Sequence, residues 1–440
     1  MKRFISFLIL ICFSFVIASC DILKPVEEKP TDVIPAEEYE LKVSRLLNNV
    51  KAKNNNELID DDNIKQHLVS SAFKLYGILS NDVQENFCIS PTSIYFALSL
   101  LYLVGDDIVK DEIKDVLGLT NDEIVCAGLI YKDLTREIKI DNKTIQPVYL
   151  SNSIWLDSTV SPRANEEVLN ELAEKLYCYA YETYFSTNNV QANADIREFV
   201  KQQTNGLIDC DFDISPLALF VLINTLYFKD SWMDVGSLKV EQMKFALNSK
   251  ESIEVESLVG NYFKGRAYID KSGSAFSTKT NFGYYVHFLV PNEGYKISEV
   301  MNYEYFKKAN EVIKEQNLTD KEIHYTRVIF PSFNVKSDLD CKDEFGNQGY
   351  LIHTFSNFYS DLLIDEPLFV SKIIHKTNLT VDKDGVVGAA VTVIEIRKNS
   401  SGEPIDVVYH DFLVNKEFGY VITSPDGIVL FMGQITNPNK

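Results

Sequence analysis

With 440 residues, 45% of them hydrophobic and 24% charged, the chain has ample material for a buried core. Its 63 acidic against 43 basic residues give a formal charge of -20, which argues against a phosphate-tracking surface and so against nucleic acid as a partner. Of its seven cysteines, Cys12 and Cys20 sit in the N-terminal leader, and Cys88, Cys126, Cys178, Cys210 and Cys341 form an odd set without CxxC spacing, so the fold is expected not to depend on disulfides.

In chain order, the first segment is MKRFISFLILICFSFVIASC. Lys2 and Arg3 precede an apolar run from Phe4 to Ile17, and Ala18-Ser19 supplies small residues before Cys20, the pattern of a secretory signal. The run is shorter than the ~20 residues a spanning helix needs. Ile17-Ala18-Ser19-Cys20 also resembles a bacterial lipobox, in which Cys20 is lipidated and begins the mature chain. A plain signal peptide with an incidental cysteine is the alternative. Residues 1–19 are therefore expected to be a signal peptide with a lipobox, and the protein to be exported and lipid-anchored at a bacterial cell envelope or surface. Residues 20–62, with PVEEKP, NNNE and DDD, bury little and are expected to be the lipidated cysteine and an acidic flexible spacer, with a short helix around Tyr39 to Leu47.

From Asn63 to Lys440 one globular domain is expected, since neither a second linker nor a repeat divides it. IKQHLVSSAFKLYGIL carries Ile64, Leu68, Ala72, Leu75 and Ile78 on one helical face. SPTSIYFALSLLYLVG starts with a Ser90-Pro91 cap and first turn and stops at Gly105. IVKDEIKDVLGL sets Val109, Ile113, Val116 and Leu117 on one stripe and stops at Gly118. ALFVLINTLYF, YYVHFLVP, YTRVIFPSFNV and GYVITSPDGIVLFMG then read as strands, the last as a hairpin turning at Pro425-Asp426-Gly427. Helices first and strands later predict an α+β class.

Catalytic signatures are missing. The six histidines, His67, His287, His324, His353, His375 and His410, include no HExxH pair, and there is no GxSxG elbow. GNYFKGRA offers Arg266-Ala267 where a phosphate loop needs Lys-Ser/Thr. TVDKDGVVGAAV has Thr380 and Val391 at the end positions where a calcium loop needs carboxylates, so a turn is expected there.

Several separated stretches, taken together, resemble the serpin family: NFCISPTSIYFALSLLYLVG, TNGLID, LINTLYFKDSW, PSFNVKSDLD, PLFVSKIIHKTNLTVDKDG and IVLFMGQITNP, in the family's order across roughly residues 63 to 438. The resemblance implies three β-sheets, eight or nine helices and an exposed reactive-centre loop at about 385–411. It implies a suicide-type inhibitor, not an enzyme, with neither cofactor nor metal. A serine or cysteine protease attacks the loop as a substrate, and the cleaved loop inserts as a strand into the central sheet before the acyl bond is hydrolysed. The alternative is a non-inhibitory serpin that is a protease substrate or a surface binding protein. A monomer is expected.

Residue by residue, Gly385 matches the hinge glycine, and Val386, Gly388, Ala389, Ala390 and Thr392 the hinge that follows, with Val386, Gly388, Ala390 and Thr392 inward-facing. Val386 departs from the usual Thr or Ser and Gly388 from the usual Ala, and glycine in a strand costs roughly 0.5–1 kcal/mol against Ala. Ser90, Ser93, Asn224 and His375 match the shutter beneath the central strands, and Trp232 the point where insertion starts. Asn224 and His375 are expected to be a buried hydrogen-bonded pair. Counting forward from Gly385 sets the scissile bond at Asn399, with Arg397, Lys398, Asn399 and Ser400 as candidates; counting back from Phe418 sets it near Asp406, so the loop is long beyond the cut. Cleavage after Arg397 or Lys398 suits trypsin-like proteases, and cleavage after Asn399 an asparagine-preferring enzyme.

Overall fold

The computed structural model describes residues 62–81, 83–140, 143–233, 238–319, 323–386 and 407–440. Its helices form where local chemistry asks for them. Asp62–Leu79 buries Ala72, Leu75 and Ile78. The Ser90 hydroxyl accepts from the Ser93 amide and caps Pro91–Val104, while Pro91 occupies a first-turn position where its missing N–H costs nothing. Asp106 caps Asp107–Leu117, which buries Val109, Ile113, Val116 and Leu117 and ends at Gly118 in the left-handed region (φ 66°).

Three principal sheets carry the core, as the α+β expectation requires. A six-stranded sheet runs in the order Phe87–Ile89, Val429–Ile435, Phe418–Thr423, Tyr285–Pro291, Gly273–Lys279, Tyr268–Ile269. Its Phe418–Thr423 and Val429–Ile435 strands are the hairpin expected around Pro425-Asp426-Gly427. A four-stranded sheet runs Val407–Leu413, Ile323–Pro331, Ser252–Lys264, Lys239–Ala246, its first pair parallel. The central sheet is in two halves: Cys178–Thr183, Val148–Asp157 and Phe220–Phe228 in one, Phe333–Asp340, Ile374–Asp382 and Gly385–Val386 in the other.

Three sequence expectations need correction. YTRVIFPSFNV is two strands that break at Ser332 and serve different sheets, Ile323–Pro331 the four-stranded one and Phe333–Asp340 the central one. Helices do not all precede strands, because Val148–Asp157 and Cys178–Thr183 are strands lying between helices. The strand beyond the loop begins at Val407, inside the expected 385–411 span, because its β-branched and aromatic residues pair along the Ile323–Pro331 edge.

Each half of the central sheet presents one strand to the other. Phe220–Phe228 pairs outward with Val148–Asp157, and Ile374–Asp382 pairs outward with Phe333–Asp340. Among the described residues the two inner strands exchange no ladder hydrogen bonds, and a cavity of about 390 Å³ lies between them.

Candidate functional site

Further along the same two strands, the halves meet by backbone pairing at the hinge. Ile374–Asp382 turns at Lys383-Asp384 and returns as Gly385–Val386, setting Val386 opposite Val381 and Gly385 opposite Asp382. On its other side Val386 exchanges both backbone hydrogen bonds with Asp230 (3.0 and 2.9 Å), so the hinge bridges the halves through this one residue. Gly385 has φ 141°, and a Cβ there would sit 2.3 Å from the Asp230 carbonyl oxygen, so only glycine fits. Val386, the departure from Thr or Ser, is fully buried. A second tie is the Trp232 indole, whose Nε1 donates to the Asp382 carbonyl at 2.6 Å while its ring meets Phe330 edge-on.

Below the hinge, Ser90, Ser93, Asn224 and His375 all line the cavity. Their partners differ from expectation. The Ser90 amide donates to His375 Nε2 at 3.0 Å, and the Asn224 amide donates to the Asn152 side-chain oxygen at 2.7 Å. Asn224 and His375 are therefore not bonded to each other, because the cavity separates their strands, and Asn224 Oδ1 is buried without a partner. The Thr377 hydroxyl donates to the Cys88 carbonyl, which ties Ile374–Asp382 to the strand leading into the Ser90 cap.

The outer side of the cavity is covered by the Asn189–Gln203 helix and the segment that follows it. Asn378 Nδ2 donates to the Leu207 carbonyl at 3.0 Å, Lys372 Nζ reaches Asp213 at 3.2 Å, and Lys376 Nζ stands 5.5 Å from the Phe212 ring centre. These contacts strap one inner strand without touching its free edge.

His375, which lines the cavity, and Asp230, in the bridge to Val386, titrate with opposite tendencies. Burial lowers the His375 pKa to about 4, which keeps the imidazole neutral and leaves Nε2 free to accept from Ser90. Burial raises the Asp230 pKa to about 6, against a hydrogen bond from the Phe282 amide to its carboxylate at 2.8 Å. Burial also raises the thiol of Cys88, to about 11, and pushes those of Cys178 and Cys341 higher still, as suits inert core cysteines.

Gly388, Ala389, Ala390, Thr392, Arg397, Lys398, Asn399, Ser400 and Cys20 lie outside the described residues, as do the leader, the spacer up to residue 61 and the expected Tyr39 to Leu47 helix. Among the described residues no helix is long and apolar enough to cross a membrane. Sequence reasoning singled out neither Asp230 nor Asn152. A lone acid beside Trp232, after an apolar run, was the available signal for the first.

A profile of the family described as Serpin (serine protease inhibitor) matches residues 66–438. Similar curated proteins include Serpin-Z2B of Triticum aestivum, 24% identical over 399 residues that cover 84% of this chain and 96% of that protein. Another is Serpin A3-5 of Bos taurus, 24% identical over 413 residues that cover 90% and 94% of the two chains. Among solved structures, a thyroxine-binding globulin complex with thyroxine superposes with TM-score 0.68 at 18% identity, covering 86% of this chain and 99% of that one. The thermophilic serpin tengpin in its native state gives TM-score 0.68 at 19% identity, covering 90% and 100%.

Proposed function

We propose, because the chain belongs to the serpin family, that it is a suicide-type inhibitor which traps a serine or cysteine protease as an acyl complex. Members of the family are in general protease inhibitors rather than catalysts. On this reading the target's own nucleophile attacks the loop at Arg397 to Ser400, and the chain contributes no catalytic group.

One observation carries the reading: the hinge already forms the first two residues of a new strand, and the second of them, Val386, is paired on both sides in line with the gap between two strands. Extending that antiparallel register gives concrete places on insertion. Residue 388 would come between Phe228 and Leu379, residue 390 between Leu226 and Thr377, and residue 392 between Asn224 and His375. The smallest residues, Gly388 and Ala390, thus meet the bulkiest neighbours, and Thr392 brings a hydroxyl to the polar stretch where Asn224 Oδ1 lacks a partner. Gly388 then fits its place beside Phe228.

The cut after Arg397 or Lys398 points to a trypsin-like target, and we further propose a monomer, exported and held to a bacterial membrane surface through Cys20. Incubation with trypsin should yield an SDS-resistant complex, with mass spectrometry placing the cut between Arg397 and Ser400. Clean cleavage without complex, and without any rise in thermal stability, refutes inhibition and leaves a substrate or binding protein.

A further inference from the structure

Outside the hinge, two histidines face each other across neighbouring strands. His324 lies on Ile323–Pro331 and His410 on Val407–Leu413, which run parallel with His324 opposite Val408 and Thr326 opposite His410. Both side chains project from the same face, because residues of equal parity do so along paired strands. Nδ1 of His324 stands 3.0 Å from Nε2 of His410, with the rings at 30° and their centres 5.2 Å apart. His324 is 8% exposed, while His410 is half-buried and leaves the pair open to solvent on one side. The oppositely charged Arg327 and Asp411 pair with one another on the other face of the same two strands.

We propose that these two nitrogens form a binding site for a borderline divalent transition-metal ion, such as nickel, cobalt or zinc, with water completing its shell. Imidazole is the side chain such ions prefer, and metal–nitrogen distances are about 2.0–2.1 Å. An ion at that distance from two nitrogens 3.0 Å apart subtends an angle of about 94°, close to the right angle between adjacent octahedral positions. A tetrahedral ion needs the nitrogens opened by only a few tenths of an ångström. Binding asks no covalent chemistry of the chain. The proton now shared between the two rings moves to the outer nitrogen of the ring that carries it, Nε2 of His324 or Nδ1 of His410, and both inner lone pairs turn to the ion. Among the described residues no set of three or more His, Cys, Asp and Glu side chains converges as ligands, so the site is a two-histidine clamp.

The place of the pair gives the clamp a consequence. Val407–Leu413 is the edge strand of its sheet, paired along one side, and it follows directly on the reactive loop. An ion joining His410 to His324 fastens that strand to its neighbour and resists its peeling away. That consequence rests on the inhibitory reading, whereas the binding itself does not.

Calorimetric titration of the full chain with NiCl2 at pH 7.5 tests the site independently of any protease. One site is expected in the wild type, weakened more than tenfold by His410→Asn, since loss of a ligand exceeds the 10–100-fold cost of losing an outer-shell partner. His67→Gln, at a histidine elsewhere on the surface, leaves it unchanged. Absence of binding, or binding that His410→Asn does not weaken, as a cysteine-based site would give, overturns the proposal. Should His410→Asn fail to fold, carbethoxylation of the wild type decides: bound nickel should protect His410, and equal modification with and without nickel overturns it.

Discussion

Acid should act on the central sheet through two groups that oppose each other. His375 titrates near 4 when folded and near 6.5 when not, so its contribution is complete above pH 6.5 and is lost as pH falls toward 4. Asp230 titrates near 6 when folded and near 3.8 when not, so the folded state holds the extra proton and Asp230 destabilises it increasingly as pH rises from 3.8 through 6. At about 1.4 kcal/mol per pH unit, moving from pH 7.5 to 5 costs about 2 kcal/mol through His375 and returns about 1 kcal/mol through Asp230. The wild type should therefore move little, and the single variants should separate. Asp230→Asn removes the compensation and should lose about 2 kcal/mol over that range, while keeping an oxygen for the Phe282 amide. His375→Gln removes the loss and should gain about 1 kcal/mol over the same range, while keeping an acceptor for the Ser90 amide. The assay is the midpoint of the first urea transition, followed by the fluorescence of Trp155 and Trp232, measured at intervals between pH 7.5 and 5. If both variants shift with pH as the wild type does, neither group titrates in the environment the fold gives it, and the reasoning fails.

On the proposed inhibitory reading, three further outcomes follow from the hinge geometry. Thr392→Arg brings an unpaired charge to the stretch between Asn224 and His375 on insertion, a cost of several kcal/mol, so cleavage by trypsin should persist while the SDS-resistant complex disappears from gels. Gly385→Ala forces a Cβ to within 2.3 Å of the Asp230 carbonyl oxygen and holds alanine at φ 141°, so the first unfolding transition should fall by about 1–3 kcal/mol. Trp232→Phe removes the 2.6 Å bond to the Asp382 carbonyl but keeps a ring against Phe330, and should lower that transition by about 1 kcal/mol and speed spontaneous loss of inhibitory activity.

Where structure rests on neighbours in the chain, the sequence was legible. The Ser90 cap, the Gly118 stop and the hairpin at Pro425 to Gly427 each follow from residues a few positions apart. Ile374–Asp382 alternates along its length, with His375, Thr377, Leu379 and Val381 all buried, yet it entered the sequence reading only through the family resemblance. Val148–Asp157 was passed over because it is buried on both faces, where no alternation marks a strand and Ser151, Asn152 and Ser153 look like loop residues. Period-2 patterning is also silent about which sheet a strand joins, so the passage from one sheet to another at Ser332 left no trace. The family resemblance picked out four residues that line one cavity but not their bonds. Asn152, which holds the Asn224 amide, lies 72 positions earlier in the chain.

The central sheet stores its driving force as unfinished pairing, on the proposed reading. Its two inner strands carry full ladders on their outer edges, and the hinge joins them at one residue, Val386. Each backbone hydrogen bond completed by an entering strand contributes about 1 kcal/mol net, and satisfying a buried acceptor such as Asn224 Oδ1 relieves a further 1–3 kcal/mol. Against this stand contacts that insertion must disturb or work around: the Trp232 bond at the hinge and the strap bonds from Asn378 and Lys372 across the outer face. These are few and individually worth about as much as one ladder bond, so they delay insertion without outweighing it. The balance is therefore kinetic, and the residues that set it are those at the hinge, where the first pair beyond Val386 has to form before any later one can.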